Sequence, residues 1–136
     1  MYENQKDKMK ISRVLTQLKT NSASSDEDFK RFLKSLDFTV DQDFLELYSV
    51  SNGASGFISP SAFILFWSIE EILDLNPYYE DNEFCKDALF FGSDGASTGY
   101  GILKTSLEYF RVDYLDIPEG CEFHGKKLGD FLDYIS

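Results

Sequence analysis

Histidine and cysteine, the residues from which many metal and thiol sites are built, are scarce in this chain. Its 136 residues include one histidine, His124, and two cysteines, Cys85 and Cys121. Cys121 and His124 form a Cys-x-x-His pair, but a structural zinc site commonly needs four ligands and no second pair of this kind occurs. We therefore expect no metal and no cofactor. Two cysteines without a disulfide-framework spacing also favour a reducing, cytoplasmic setting.

The sequence also has no long apolar segment. The longest strictly apolar run, Ala62–Trp67, has six residues, whereas a transmembrane helix needs about 20. The first residues, Met-Tyr-Glu-Asn-Gln-Lys-Asp-Lys, contain no apolar region of the kind found in a secretory signal. We expect a protein that neither crosses nor binds a membrane.

Basic residues are outnumbered, with 13 Lys and Arg against 24 Asp and Glu and a net charge of −11. Residues 1–20 carry five basic and two acidic side chains, whereas residues 21–136 carry eight basic and 22 acidic ones, a net charge of −14. Such a surface repels nucleic acid, because phosphate binding needs Lys and Arg, and it attracts a basic protein partner. The plainer interpretation, that the acidic residues only keep the protein soluble, stays open.

Aromatic residues, in contrast, are abundant: 13 Phe, 8 Tyr and one Trp. Each ring buries a large area, so these side chains can fill a substantial core. Trp67, which follows an apolar run, is expected to belong to that core. A length of 136 residues fits one domain of the usual size, about 100–150 residues, and we expect a single domain over residues 1–136.

Apolar residues at helical spacing predict helices at both ends of the chain, and short apolar runs between them predict strands. Ser25, Asp41 and Ser68 are expected N-caps, and Asn52-Gly53 is expected to end the third helix. The predicted helices cover residues 8–20, 26–36, the segment from Asp41 to Asn52-Gly53, 69–75 and 127–135. The predicted strands are 57–58, 62–67, 88–91, 100–103 and 109–115. This order predicts an α+β fold: a central, mostly antiparallel sheet flanked by N-terminal helices and a C-terminal helix.

Two patterns could suggest enzymatic chemistry. Residues 92–101 are glycine-rich and follow a strand, but a phosphate-binding loop leads into a helix and this one is expected to lead into a strand, so a hairpin connection is the better interpretation. Paired carboxylates resemble those of hydrolases, although 24 acidic residues make chance pairs common. These pairs are Glu70/Glu71, Glu80/Asp81 and Asp113/Asp116. We expect no catalytic site; a carboxylate-dependent hydrolase or a Cys–His nucleophile remains an alternative.

The segment Tyr78–Glu83 combines two tyrosines with acidic residues and is predicted to be an exposed loop. Tyrosine is enriched at the energetic centres of protein interfaces, and flanking acids would complement a basic surface. A merely solvated loop is the competing interpretation. The candidate partner-binding residues are Tyr78, Tyr79, Glu80, Asp81, Glu83 and, from the turn after the predicted strand 88–91, Asp94.

Four segments in sequence order resemble the SUKH superfamily, which includes fungal cell-wall-assembly (glucan synthesis) regulators and many bacterial immunity proteins against secreted toxins. The resemblance is strongest over residues 29–135. The segments are Phe44–Tyr48 running into Ser51-Asn52-Gly53, Leu65–Ile72, Leu89–Gly95 and Leu128–Ile135.

The resemblance implies a SUKH-like fold and a non-enzymatic protein that binds a partner directly. The partner it implies is a cognate toxin, often a nuclease, whose basic surface would suit the acidic domain. The alternative is a regulatory interaction module of the fungal type. The identity of the partner, the interface and the oligomeric state stay open at this point.

Overall fold

The computed structural model describes residues 10–80 and 82–136. Seven strands form one sheet in sequence order, and each neighbouring pair is antiparallel. The strands are β1 (Lys19–Thr20), β2 (Ala54–Ser59), β3 (Ala62–Phe66), β4 (Ala88–Ser93), β5 (Thr98–Leu103), β6 (Tyr109–Asp113) and β7 (Glu122–Phe123). The helices are α1 (Ile11–Gln17), α2 (Asp26–Ser35), α3 (Gln42–Val50), α4 (Ile69–Leu75), α5 (Glu83–Lys86) and α6 (Leu128–Ile135), with a 3-10 turn at Asn76–Tyr79.

This arrangement confirms the predicted α+β fold with a central antiparallel sheet between helices. Neighbouring residues of a strand point to opposite faces, and Phe90 and Phe91 of β4 divide the core in this way. Phe91 meets the ring of Phe44 in α3, with centroids 6.1 Å apart. Phe90 stacks on Tyr79 of the 3-10 turn at 4.4 Å. Both phenylalanines are completely buried, so α3 covers one face of the sheet at β4 and the 3-10 turn covers the other.

The predicted helix N-termini are confirmed by their caps. Ser25 accepts a hydrogen bond from the Asp28 amide at 3.1 Å, and Asp41 accepts one from the Asp43 amide at 3.2 Å. Ser68 forms a capping box, because its side chain and that of Glu71 each accept a backbone N–H from the other residue. These contacts satisfy amides that have no partner inside the helix.

The first helix is shorter than predicted within the described residues. It ends at Gln17, and Lys19 and Thr20 pair as β1 with Ser55 and Ala54 of β2. Leu18 is buried, as the helical spacing requires, but its backbone is already extended (φ −106°, ψ 155°). Pairing with the sheet edge therefore overrides the helical pattern there. Residues 8 and 9 of the predicted helix lie outside the described residues.

The prediction that Asn52-Gly53 ends α3 is wrong. The helix ends at Val50, and Ser51 is extended at its C-terminus (φ −142°). Gly53 does have a left-handed φ of +85°, but a Cβ there would lie 2.8 Å from the Phe66 carbonyl oxygen. Glycine is needed because β3 passes close to this backbone. Asn52 instead accepts a hydrogen bond from the Ile69 amide at 2.8 Å and thereby ties α3 to the start of α4.

The middle of the chain departs most from prediction. α4 ends at Leu75 as expected, but Asn76 and Pro77 continue into the 3-10 turn, which takes up the first two residues of the predicted loop Tyr78–Glu83. α5, for which no helix was predicted, begins at the last residue of that loop, Glu83. β6 ends at Asp113, two residues earlier than predicted. The short strand β7 was not predicted, because only its pairing with β6 identifies it.

Candidate partner-binding surface

Tyr78 and Tyr79 adopt opposite roles in the 3-10 turn. The Tyr78 side chain is 81% exposed. Tyr79 is partly buried and stacks on Phe90, and its ring lies nearly parallel to that of Tyr114, with centroids 5.9 Å apart. Tyr79 thus anchors the turn on the sheet, while Tyr78 is presented to solvent.

The acidic candidates of this segment are exposed. Glu80 directly follows the turn. Glu83, in α5, forms an ion pair with Lys86 at 3.1 Å, with both side chains largely in solvent. An exposed pair of this kind adds little stability, so both residues can contact a partner at low cost. Asp81 lies outside the described residues.

Tyr114 connects the turn to a segment that the sequence did not identify as part of the surface. Burial, and after it the neighbouring Tyr79 hydroxyl, raises the pKa of Tyr114. Leu115, the next residue, is 93% exposed. The sequence analysis placed both residues in the predicted strand 109–115. An apolar residue immediately before the Asp-Ile-Pro turn, Leu115, was the feature that could have indicated an exposed apolar contact. We call Tyr78, Glu80, Glu83 and Leu115 the tyrosine surface.

Asp94 lies elsewhere, in the turn between β4 and β5. Its Oδ1 accepts hydrogen bonds from the amides of Ala96 at 2.8 Å and Thr98 at 3.1 Å. It lines a groove of about 450 Å³, which we call the acidic groove. None of the other described candidates lines this groove. The structure therefore divides the predicted site residues between two places.

Paired strands build the floor of the acidic groove. Thr98 lies opposite Asp113, Tyr100 opposite Arg111, and Arg111 opposite Glu122, so their side chains share one face of the sheet. The walls include Phe57 and Phe63 from the β2–β3 hairpin and Ile135 from the end of α6.

Arg111 is already engaged at one end of the groove. Its Nε donates a hydrogen bond to Glu122, and its guanidinium lies 5.2 Å from the centre of the Tyr134 ring. The hydrogen bond from Arg111 lowers the pKa of Glu122, and the same contact raises the pKa of Arg111. Arg111 and Glu122 thus offset each other, and Asp94 and Asp113 remain as the carboxylates of the groove.

Four of the residues considered for catalysis have surroundings that do not favour it. The His124 ring stacks on Tyr134 at 4.2 Å, and burial raises the pKa of the Cys121 thiol to about 12, which disfavours the nucleophilic thiolate. Glu71 caps α4, and Glu70 accepts a hydrogen bond from Asn52.

Residues 10–80 and 82–136 contain neither a metal-binding cluster nor a membrane-spanning helix. No group of three or more His, Cys, Asp or Glu side chains there could hold a metal ion. No helix in those ranges is long and apolar enough to cross a membrane.

The fold and these surfaces define a small acidic α+β domain whose exposed groups suit contact with another protein. The chain belongs to the SMI1 / KNR4 family (SUKH-1), whose family model matches residues 23–134. This confirms the resemblance to the SUKH superfamily. Membership supports a protein-interaction or immunity-type role in general. A search of curated proteins found no match.

Proposed function

We propose that this protein is an immunity protein that acts in the cytoplasm and neutralises a cognate toxin by binding it. The observation that carries the proposal is the net charge of −14 over residues 21–136. A nuclease-type toxin must present Lys and Arg to its phosphate substrate, so an acidic domain can cover the same groups. The mechanism is occlusion of the toxin's substrate groove and needs no chemistry by this chain.

The tyrosine surface is suited to be the contact. Tyr78 extends from a turn that is held on the sheet by the stack of Tyr79, Phe90 and Tyr114. A side chain presented from a rigid base loses less conformational freedom on binding than one presented from a mobile loop. Leu115 adds exposed apolar area, and Glu80 and Glu83 add negative charge at the rim.

The decisive experiment is co-expression with the toxin domain of a large secreted protein encoded beside this chain. We expect the chain to restore growth and to form a purified complex with the toxin domain that is measurable by calorimetry. A toxin that still arrests growth and binds no purified protein would refute the immunity proposal. Binding to a cellular protein without protection would instead support the regulatory alternative.

The tyrosine surface is tested by single substitutions in that complex. Tyr78→Ala should weaken binding about 30-fold, the effect of losing about 2 kcal/mol at an interface centre. Glu80→Gln should weaken it about two- to fivefold, as expected for an exposed charge. Val50→Ala and Glu46→Gln are the matched controls, because both residues are exposed on α3. Equal effects at the test and control positions would exclude this surface as the interface.

A further inference from the structure

We infer that the acidic groove receives a single arginine side chain from the protein partner; this inference rests on the proposed function and specifies one of its contacts. The groove of about 450 Å³ falls within the size range of pockets for small ligands, about 300–1,000 Å³. It is therefore large enough for a side chain that enters from a neighbouring protein.

Two carboxylates of the groove are each held in place through one oxygen, so that the second oxygen of each is available to a ligand. Asp94 uses Oδ1 to accept the amides of Ala96 and Thr98, and Asp113 uses Oδ1 to accept the Leu115 amide at 2.9 Å. In the part of the chain that the structure describes, no group bonds to either Oδ2. Both carboxylates can accept a donor without rearrangement of the turns.

Tyr100 provides an independent indication that the groove accommodates a ligand. Its side chain lines the groove but is only 6% exposed, and its ring packs edge-on against Phe131 at 5.5 Å. The hydroxyl has no hydrogen-bond partner among the described residues. Burial, and then the charge of Asp94, raises the pKa of this tyrosine, so the hydroxyl stays neutral. Most of this side chain is buried, but its hydroxyl reaches the groove that Asp94 and Asp113 also line. A hydroxyl that can accept a hydrogen bond, together with two available carboxylate oxygens, suits a ligand that carries several N–H donors.

The chemistry of the groove favours arginine over other ligands. The lining of the groove contains more carboxylates than basic groups, so it repels an anion and attracts a cation. Its arginine, Arg111, is already bonded to Glu122. A guanidinium offers several planar donors for the two carboxylates and the hydroxyl, and it stacks on aromatic rings. Phe63 supplies such a ring. It packs against Gly95 in the turn that follows Asp94, and a Cβ added at Gly95 would lie 3.4 Å from the ring.

The inference is tested by nuclear magnetic resonance titration of the whole chain with N-acetyl-arginine methylamide, and with the corresponding lysine and glutamate compounds as comparisons. We expect the arginine compound to shift the amides of Thr98, Tyr100 and Asp113 in a saturable way, the lysine compound to do so more weakly, and the glutamate compound not at all. No saturable shift with arginine, or equal shifts with glutamate, would overturn the inference.

Conservative variants identify the groups that carry the binding. Asp94→Asn combined with Asp113→Asn keeps both Oδ1 acceptors and removes both charges, and should abolish the saturable shifts. Tyr100→Phe keeps the ring and should weaken binding severalfold. Asp133→Asn, an exposed change on α6 outside the groove, is the control. Spectra of the free variants establish that each is folded; unchanged binding in a folded double variant would overturn the inference.

A second measurement connects the groove to the partner and separates this inference from the proposed function. The double Asn variant should bind the cognate toxin at least about tenfold more weakly than the wild type. Full affinity in a variant that no longer binds the arginine compound would overturn the role in partner recognition. Failure of the wild type to bind any toxin would refute the immunity proposal instead, while the titration would still decide whether the groove binds arginine.

Discussion

Single residues with both apolar and polar parts fix the interior of this domain. Tyr48 is an example: it is 1% exposed, its ring stacks on Phe44 at 4.7 Å, and its hydroxyl donates to the Trp67 carbonyl at 2.6 Å. The prediction that Trp67 belongs to the core is confirmed by its burial. Tyr48 lies four residues after Phe44 in α3, and this spacing places both side chains on the buried face of the helix. Its hydrogen bond could not be anticipated, because the two residues meet only after β2 and β3 have folded back.

Replacing Tyr48 with phenylalanine should lower the free energy of unfolding by about 1–2 kcal/mol, because the Trp67 carbonyl loses its donor. Urea unfolding at neutral pH measures this change. Tyr78→Phe, at an exposed position, is the matched control and should leave stability unchanged. A Tyr48→Phe variant as stable as the wild type would show that the hydrogen bond contributes nothing net.

Tyr48→Phe should also change how the free energy of unfolding depends on pH. Burial, followed by the charge of Glu71, raises the pKa of Tyr48 well above the ordinary value of about 10. Above that pH the unfolded chain loses the proton while the folded chain keeps it, so the stability present at lower pH falls as pH rises. Tyr48→Phe should make this fall shallower without removing it, because burial raises the pKa of Tyr109 as well. Identical slopes in the two proteins would contradict this account.

At the scale of elements, the segment from α4 to α5 gives this sheet its particular shape. β3 pairs with β4 only at Leu65↔Ser93 and Phe66↔Gly92. One further backbone bond, from the Trp67 N–H to the Phe91 carbonyl, follows at 2.9 Å. At Phe90 the side chain of Asn76 takes the place of a neighbouring strand, since its amide group accepts from the Phe90 N–H and donates to the Phe90 carbonyl, both at 2.8 Å. This double contact fixes the 3-10 turn and therefore the orientation of Tyr78.

Asn76→Ala should lower the free energy of unfolding by about 2–4 kcal/mol, since it leaves two polar groups of a buried strand unpaired. Asn76→Asp should be destabilising too, because a carboxylate cannot donate to the Phe90 carbonyl. Asn82→Ala, which removes only the cap of α5, is the comparison and should cost about 1 kcal/mol.

Hydrogen exchange of the Phe90 amide provides a local measurement alongside urea unfolding. The amide should exchange faster in Asn76→Ala, because its acceptor is removed, and also in Asn76→Asp, because the carboxylate is repelled by the Phe90 carbonyl oxygen that the Asn76 amide had bonded. Protection as strong as in the wild type would mean that Asn76 does not hold the turn on β4.

At the scale of the whole molecule, the charge distribution governs the expected interaction with a toxin. With −14 over residues 21–136, attraction to a basic partner acts over a distance set by the ionic strength. Such attraction mainly accelerates association, whereas aromatic anchors mainly slow dissociation.

Affinity for the cognate toxin should therefore fall as the salt concentration rises, with most of the change in the association rate. Combined Glu80→Gln and Glu83→Gln should flatten the salt dependence, while Tyr78→Ala should lower affinity by a similar factor at every salt concentration. Surface plasmon resonance over a range of sodium chloride concentrations gives both rates. An affinity independent of salt would remove the electrostatic part of the proposal.

Much of the fold could be predicted because it depends on local rules. Ser25 and Ser68 cap helices through amides three residues away, so the sequence around them suffices to locate the helix starts. The β4–β5 hairpin follows from two apolar runs and the turn between them. Net charge is a property of composition alone. The family resemblance likewise rested on four short segments that can be identified without the structure.

The sequence by itself thus determined the α+β class, the helix starts, the acidic character and the family. Only the tertiary structure decided which of two adjacent tyrosines is exposed, because Asn76 bonds to Phe90, 14 residues away, and turns Tyr79 onto the sheet. It also decided that Asp94 belongs to a groove with Tyr100 and Asp113. That groove depends on the register between β5 and β6, and register arises from the packing of the whole sheet rather than from any one segment.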